Sequence, residues 1–358
     1  MGVDAPALEN PPIGRKEPDM KLVQWGILST GGIAEIFARG LKTSKMGVLA
    51  AVASRELKPA VEFAKKHRVP RAYGRYQQLL DDPSVEAVYI APPHPFHAQW
   101  AVRAAQAGKH ILCEKPLTMN YPDALKVVRA ARHNGVFLME AFMYRCHPQT
   151  EKLVELIRKK AVGKVRLIQA SFCFDKPLDL KHRLFNRKLG GGGIMDIGCY
   201  PVSMARLLAG AAMGRGFAEP LEVKGTAVMG RKSRVDEIAL ASLKFPGGIL
   251  AELSCASRAD RGPSGVKIDG TFGSISVPSP WFATWNPGTS YLLLQKEGKK
   301  APAKIPVHCD RNLYTVEADT VAACIRNGKR ESSAMSWADT LGNMEALDLW
   351  RKSAGVYY

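Results

Sequence analysis

The stretch WGILSTGGIA, residues 25–34, passes from an apolar run through a turn of small residues into a helix-forming segment. A loop that holds a dinucleotide needs a tight turn after its strand. It also needs a residue without a side chain where backbone meets pyrophosphate, and a small residue where helix packs on strand. Ser29, Gly31 and Ala34 occupy those three positions. Gly31 keeps the requirement hardest to relax, because a Cβ there pushes the pyrophosphate off the helix N-terminus. Ser29 must take the turn without glycine's freedom, though its hydroxyl is able to bond backbone or phosphate. The loop residues Ser29, Thr30, Gly31, Gly32, Ile33 and Ala34 are therefore candidate cofactor contacts, with an ordinary strand–turn–helix connection as the plain alternative.

Outward from this loop the chain alternates short apolar runs with helical stretches, the pattern of a parallel sheet with crossover helices. Strands are expected at 22–28, 48–53, 86–91, 110–113 and 136–139, and helices at 32–43, 57–67, 96–108 and 121–134, two of them closing on Gly108 and Gly135. After Arg145 the pattern changes. VRLIQASFCF, EVKGTAVM, EIALASLKF, GILAELSCASR and VKIDGTFGSISV are longer, alternating runs that predict an open, mainly antiparallel sheet, followed by helices at 314–327 and 336–354. The fold expected is α/β: a disordered extension at 1–20, a Rossmann dinucleotide-binding domain at 21–145, and an α+β domain at 146–358 for substrate binding and dimerisation.

At the end of the second expected strand stand Ser54 and Arg55. An NAD-binding loop usually places an acid here for the ribose 2′-hydroxyl, whereas a hydroxyl and a guanidinium suit a 2′-phosphate. NADP(H) is the cofactor expected, and Glu56 is the residue that restores an acid if the register shifts by one.

The composition narrows the rest. A formal charge of +18 comes in short clusters with no aromatic interleaving, so no nucleic-acid partner is expected. No run of about 18 apolar residues exists, and the first 20 residues lack the basic-then-apolar order of a signal peptide. Seven scattered cysteines without a C-x-x-C pair suit reduced thiols in a cytoplasm. In PPHPFH (92–97), His94 and His97 lie three apart with no acid or thiol at metal-ligand spacing, so no metal is expected.

Two further stretches, AGKHILCEKPLTMN (107–120) and GGGGIMDIGCYPV (190–202), complete a resemblance. With the opening loop they resemble the glucose–fructose oxidoreductase/inositol dehydrogenase/MocA (Gfo/Idh/MocA) family, from Lys21 to the C-terminus. The tripeptide Glu114-Lys115-Pro116 is the most specific mark. Ser29, FLMEAFMYRCHPQ (137–149) and Tyr200 resemble the dimeric dihydrodiol dehydrogenase branch, which includes NADP-dependent D-xylose dehydrogenases. The resemblance implies an NADP-dependent oxidoreductase acting on a sugar or vicinal diol, a homodimer, and a cofactor groove that also uses Pro92, His94, His97 and Glu114.

The chemistry has its own argument. Hydride transfer from an alcohol requires a group to take the hydroxyl proton. A free tyrosine, with a pKa near about 10, is too weak a base. An ammonium about 4 Å from the phenolate supplies on the order of 4 kcal/mol, about three pKa units. Lys115 and Tyr200 are the natural pair, with Asp196 on the same helical face as Tyr200 if 194–206 is helical. Whether Tyr200 or Lys115 carries the proton stays open at this level. Arg145, His147 and Arg183 are candidate substrate contacts, with interdomain packing as the alternative for the first two. The glycines at 190–193 are expected to let backbone approach the cofactor. The open sheet face is expected to be too apolar for water, which argues for the homodimer. Two other functions share these features: a glycoside hydrolase that retains NAD, and a non-catalytic NADP-binding regulator.

Overall fold

The computed structural model of the protein describes residues 21–259 and 264–357; the extension expected over 1–20 lies outside them. Six parallel strands form the first sheet: β1 (Val23–Leu28), β2 (Gly47–Ala53), β3 (Arg71–Tyr73), β4 (Ala87–Ile90), β5 (His110–Glu114) and β6 (Leu138–Ala141). Their order is β3-β2-β1-β4-β5-β6. Helices α1 (Gly32–Leu41), α2 (Leu57–His67), α3 (Tyr76–Leu80), α4 (His97–Gln106) and α5 (Tyr121–His133) make the crossovers. The strand order reverses direction at β1 and β4, and a crevice for ligand opens beyond the carboxyl ends of those two strands. Residues following Leu28 and Ile90 therefore face it. Gly108 and Gly135 end their helices at φ values of 70° and 68°, as helix-terminating glycines do. The sequence reading missed β3 and α3, a three-residue strand and a five-residue helix too short to show a period.

The second sheet begins after α6 (Pro148–Arg158), which the sequence reading also missed. It contains β7 (Val165–Cys173), then, beyond α7 (Cys199–Ala212), β8 (Glu222–Met229), β9 (Asp236–Phe245), β10 (Ile249–Ala256), β11 (Val266–Gly270), β12 (Gly273–Val277), β13 (Gly288–Lys296) and β14 (Ala303–Cys309). The order is β14-β13-β12-β11-β7-β10-β9-β8, antiparallel throughout except between β7 and β10. The chain closes with α8 (Leu313–Arg326) and α9 (Trp337–Ser353).

These last helices return to the first sheet. Thr315 Oγ1 on α8 donates to the Gly40 carbonyl at 2.6 Å, Arg326 pairs with Glu86, and Trp337 Nε1 donates to the Leu138 carbonyl at 3.0 Å. Helix α7 lies in the centre and is buried along almost its whole length.

The far face of the second sheet departs from expectation. Leu167, Leu240, Leu250 and Val228 point outward, but they alternate across register with Gln169, Ser242, Lys244, Glu252 and Lys224. The face is mixed, not too apolar for water. Counting only the apolar members of the alternating runs hid the polar residues that share their side.

Candidate active site

The opening loop answers its own question first. Ser29 sits at φ 119°, a conformation that costs a side-chain-bearing residue about 1–3 kcal/mol. Two contacts hold it there: its N–H donates to the Ala53 carbonyl at 3.0 Å, and its Oγ accepts from the Gly31 N–H at 3.2 Å. The serine thus makes glycine's turn and caps it. Helix α1 starts immediately afterwards with the unsatisfied N–H groups of its first turn. A Cβ on Gly32 would meet nothing within 4 Å, so the space over this helix end is open. Ala34, fully buried, lets the helix lie close on the sheet. A positive helix end beneath open space fits a pyrophosphate.

On one side of the loop lies a cavity of about 660 Å³ that reaches Thr30, Ser54 and Arg55. Glu56, the acid that a shifted register would have supplied, does not line it. Arg75, Trp100 and Arg103 do, and sequence reasoning missed all three because β3 and α3 were unseen and α4 read as a plain crossover helix.

On the other side lies a cavity of about 520 Å³, sharing Ser29, Gly31, Pro92 and Pro93 with the first. Gly32, Ile33, His94, His97 and Glu114 line it, together with Lys115, Arg183, Asp196 and Tyr200. Phe172, Phe282, Trp285 and Tyr314 form an aromatic wall, with Phe282 and Trp285 stacked at 4.8 Å. The sequence reading did not find that wall, because Phe172 on β7 lies 110 residues before Phe282 and Tyr314 comes from α8.

Charge in this cavity centres on Asp196, which lies in a wide π-type turn, Ile194–Gly198, immediately before α7. Its Oδ1 is 2.8 Å from Arg183 Nη1, 3.6 Å from Lys115 Nζ and 3.8 Å from His94 Nε2. Burial alone would raise the Asp196 carboxyl, but Arg183 and Lys115 outweigh it and hold the group well below the usual carboxylate range. Lys115 also donates to the Asp196 backbone carbonyl at 2.8 Å, so two contacts to one residue aim its ammonium. His94 is kept neutral, chiefly by burial. Its Nδ1 faces the Gly190 carbonyl at 3.1 Å and so carries the proton.

The strap carrying Lys115 is braced from below. His97 places Nδ1 2.9 Å from the Pro116 carbonyl and Nε2 2.7 Å from that of Pro92, and Glu140 accepts from the Leu117 N–H at 2.8 Å. Glu114 accepts from the Tyr89 hydroxyl, and burial raises its carboxyl.

Tyr200 differs from expectation. Lys115 Nζ lies over its ring, 5.0 Å from the centroid, while the hydroxyl meets Met143 Sδ at 3.6 Å. Phe142, Phe172 and Trp281 pack around it. Burial raises the phenol well above its ordinary value, where an ammonium at the oxygen was expected to lower it. The cation faces the π system instead of the oxygen, so desolvation prevails.

Arg145 and His147 do not line the cavity. Arg145 is buried, with Nη2 2.5 Å from Asp339 Oδ2 and Nη1 3.0 Å from Ser203 Oγ. His147 caps α6, accepting from the Gln149 N–H at 3.0 Å, and its Nε2 lies 3.1 Å from Thr284 Oγ1. Arg145 packs the first region against α7 and α9, His147 packs within the second region, and neither is brought to the cavity where a substrate contact was expected. The glycine run also serves the protein. A Cβ on Gly191 would crowd the carbonyls of Arg183 and Leu184, and one on Gly190 would press on Met119 and His94. Their freedom lets the Arg183 loop fold against the site.

Among the described residues, no three His, Cys, Asp or Glu side chains are grouped to hold a metal, and no helix is long and apolar enough to cross a membrane.

The comparisons agree with this geometry. Residues 23–142 match the model of an oxidoreductase family with an NAD-binding Rossmann fold, and residues 150–276 match the GFO/IDH/MocA C-terminal domain. The chain is 35% identical to trans-1,2-dihydrobenzene-1,2-diol dehydrogenase of Danio rerio, over 94% of this chain and 98% of that one. It is 33% identical to the Mus musculus enzyme of the same name, with the same coverage. Among solved structures it superposes on aldose-aldose oxidoreductase from Caulobacter crescentus complexed with glycerol (TM-score 0.83, 25% identity, 94% and 98% of the two chains). It shares its fold with KijD10, a 3-ketoreductase from Actinomadura kijaniata in complex with TDP-benzene and NADP (TM-score 0.81, 24% identity, 93% and 98%). Loop, Glu-Lys-Pro strap and second sheet converge on one conclusion: the chain belongs to the Gfo/Idh/MocA family of nicotinamide-cofactor oxidoreductases.

Proposed function

We propose that this oxidoreductase uses NADP(H) to interconvert a secondary hydroxyl and its carbonyl on a sugar or vicinal diol. The observation that carries the reading is the cluster Lys115–Asp196–Tyr200 facing a cavity continuous with the nucleotide crevice. The helix end at Gly31 and Gly32 would hold the pyrophosphate, and Ser54 and Arg55 the ribose phosphate. The cofactor supplies or accepts the hydride. Lys115, aimed by Asp196, donates a hydrogen bond to the reacting oxygen. Tyr200, kept protonated by its surroundings, gives that oxygen its proton when a carbonyl is reduced. Asp196 and Arg183 remain charged partners lining the cavity, suited to hydroxyl groups of a polyol. The aromatic wall of Phe282 and Trp285 offers a flat apolar face to a sugar or arene-derived ring. A reduced cytoplasmic setting accords with this reading.

The test is a fluorescence titration with NADPH and NADH, followed by a 340 nm screen of pentoses, hexoses and cyclic diols with NADP. Tighter binding of NADPH and net turnover on at least one substrate are expected. Retained NAD with glycoside cleavage and no absorbance change would establish the hydrolase instead, and binding without turnover on any alcohol the regulator.

We further propose a homodimer joined through the outward face of the second sheet, where Leu240 and Leu250 sit among Lys244 and Glu252. This rests on the family resemblance, since the face is not apolar enough to demand cover. Light scattering should give about twice the 39.1 kDa chain mass. A mass of one chain at micromolar concentration would exclude the dimer.

A further inference from the structure

The 660 Å³ cavity beside the opening loop is lined by three arginines and no acidic residue. They come from three different elements: Arg55 follows β2, Arg75 follows β3, and Arg103 lies on α4. Among the described residues no carboxylate pairs with any of the three, although ion pairs are frequent elsewhere in the chain. Like charges gathered at one concavity repel, and a bound anion reverses that term.

The three are not equivalent. The Arg103 guanidinium lies over the Trp100 ring at 5.0 Å, and Trp100 meets Tyr76 edge-on at 5.0 Å. That arrangement gives the cavity a flat wall on the α4 side, suited to a purine face. Arg55 and Arg75 stand across from it at the carboxyl ends of adjacent strands, β2 and β3, which pair in register through Ala53 and Tyr73. The buried Ser54 beneath them donates its N–H to the Tyr73 carbonyl at 3.0 Å, tying the Arg55 turn to the strand that leads to Arg75. Both side chains are exposed, so a ligand phosphate reaches them without first displacing a protein partner.

We propose that Arg75 is a second specificity-determining ligand of the 2′-phosphate, closing with Arg55 a two-guanidinium clamp opposite the Trp100–Arg103 wall. The inference rests on the NADP reading above. A phosphate monoester brings about −1.5 to −2 charge at neutral pH, which one guanidinium does not balance and two do. NADH lacks the group, so the clamp separates the two cofactors at a point remote from the reacting carbon.

The experiment is titration of the full chain with NADPH and NADH at two salt concentrations, for the native protein, Arg75→Gln and Arg75→Lys. The glutamine variant should weaken NADPH by about ten- to a hundredfold, as loss of a charge-assisted contact does, and NADH by less than about twofold. Its NADPH affinity should fall less steeply with salt, and the lysine variant should recover part of the loss. If the native protein prefers NADPH but Arg75→Gln weakens both cofactors equally, or neither, the clamp is wrong and the cofactor reading stands. If the native protein prefers NADH, that reading falls, and the clamp with it, before any variant is made.

Discussion

Replacing Tyr200 with phenylalanine is expected to lower turnover by about two to four decades while leaving NADPH affinity within about twofold. The phenol is buried against Phe142, Phe172 and Trp281, and its hydroxyl donates to the Met143 sulfur, a weak acceptor. Phenylalanine keeps the ring, its edge-to-face packing and the cation over its face, and removes only the transferable proton. The loss should therefore appear in kcat and not in cofactor binding. The pH dependence follows from the raised phenol. Reduction needs the protonated form, so its rate should stay flat through neutral pH and fall only above the ordinary tyrosine range. Oxidation needs the deprotonated form and should climb with pH over the same interval. Steady-state rates in both directions from about pH 6 to 11 check this. A Tyr200→Phe enzyme within tenfold of native turnover would move the proton to Lys115, and loss on Lys115→Met alone would then identify it.

How far the chain was legible depended on how local the chemistry is. The loop at 25–34 could be read because turn, helix end and close packing are properties of consecutive residues; even the strain at Ser29 followed from asking which residue must do without glycine's freedom. Glu114-Lys115-Pro116 and Asp196/Tyr200 were visible as motifs. That Lys115, Asp196 and Tyr200 work together was argued from their chemistry, but the geometry was not legible: Lys115 and Asp196 lie 81 residues apart and are brought together by the π-type turn before α7. Burial raises the Tyr200 phenol where the sequence argued for lowering it, because the ammonium faces the ring and not the oxygen, and side-chain direction is a tertiary fact. Arg145 illustrates the same limit. A polar residue at a domain junction reads alike whether it faces a ligand or a carboxylate 194 positions away. Gly342, in the middle of α9, looks like a helix weakness of up to about 1 kcal/mol. In the fold a Cβ there would overlap Glu219 Oε1 and Arg206 Nη2, so the glycine is the opening through which that ion pair forms.

That ion pair leads to the largest stability effect expected. Asp339 sits in the first turn of α9 and is 2% exposed; its Oδ2 is 2.5 Å from Arg145 and its Oδ1 2.6 Å from Arg206. Arg145 follows β6 of the first sheet and Arg206 belongs to the central α7, so one carboxylate ties three elements together. Asp339→Ala takes a carboxylate from both guanidinium groups and strands that of Arg145. Arg206 keeps the half-exposed Glu219 at 2.6 Å, whereas Arg145 keeps only neutral acceptors, the Ala334 carbonyl and Ser203. A buried charge left without its partner costs about 3–5 kcal/mol, which lowers Tm by on the order of 10 °C in a chain of this size. Because the penalty comes from the stranded charge, adding Arg145→Met to Asp339→Ala should restore at least half of it. Thermal and denaturant unfolding of the two variants decide the matter. A single variant less than about 1 kcal/mol below the native protein would mean that water already reaches this network and that the helices α7 and α9 are held by their apolar packing alone.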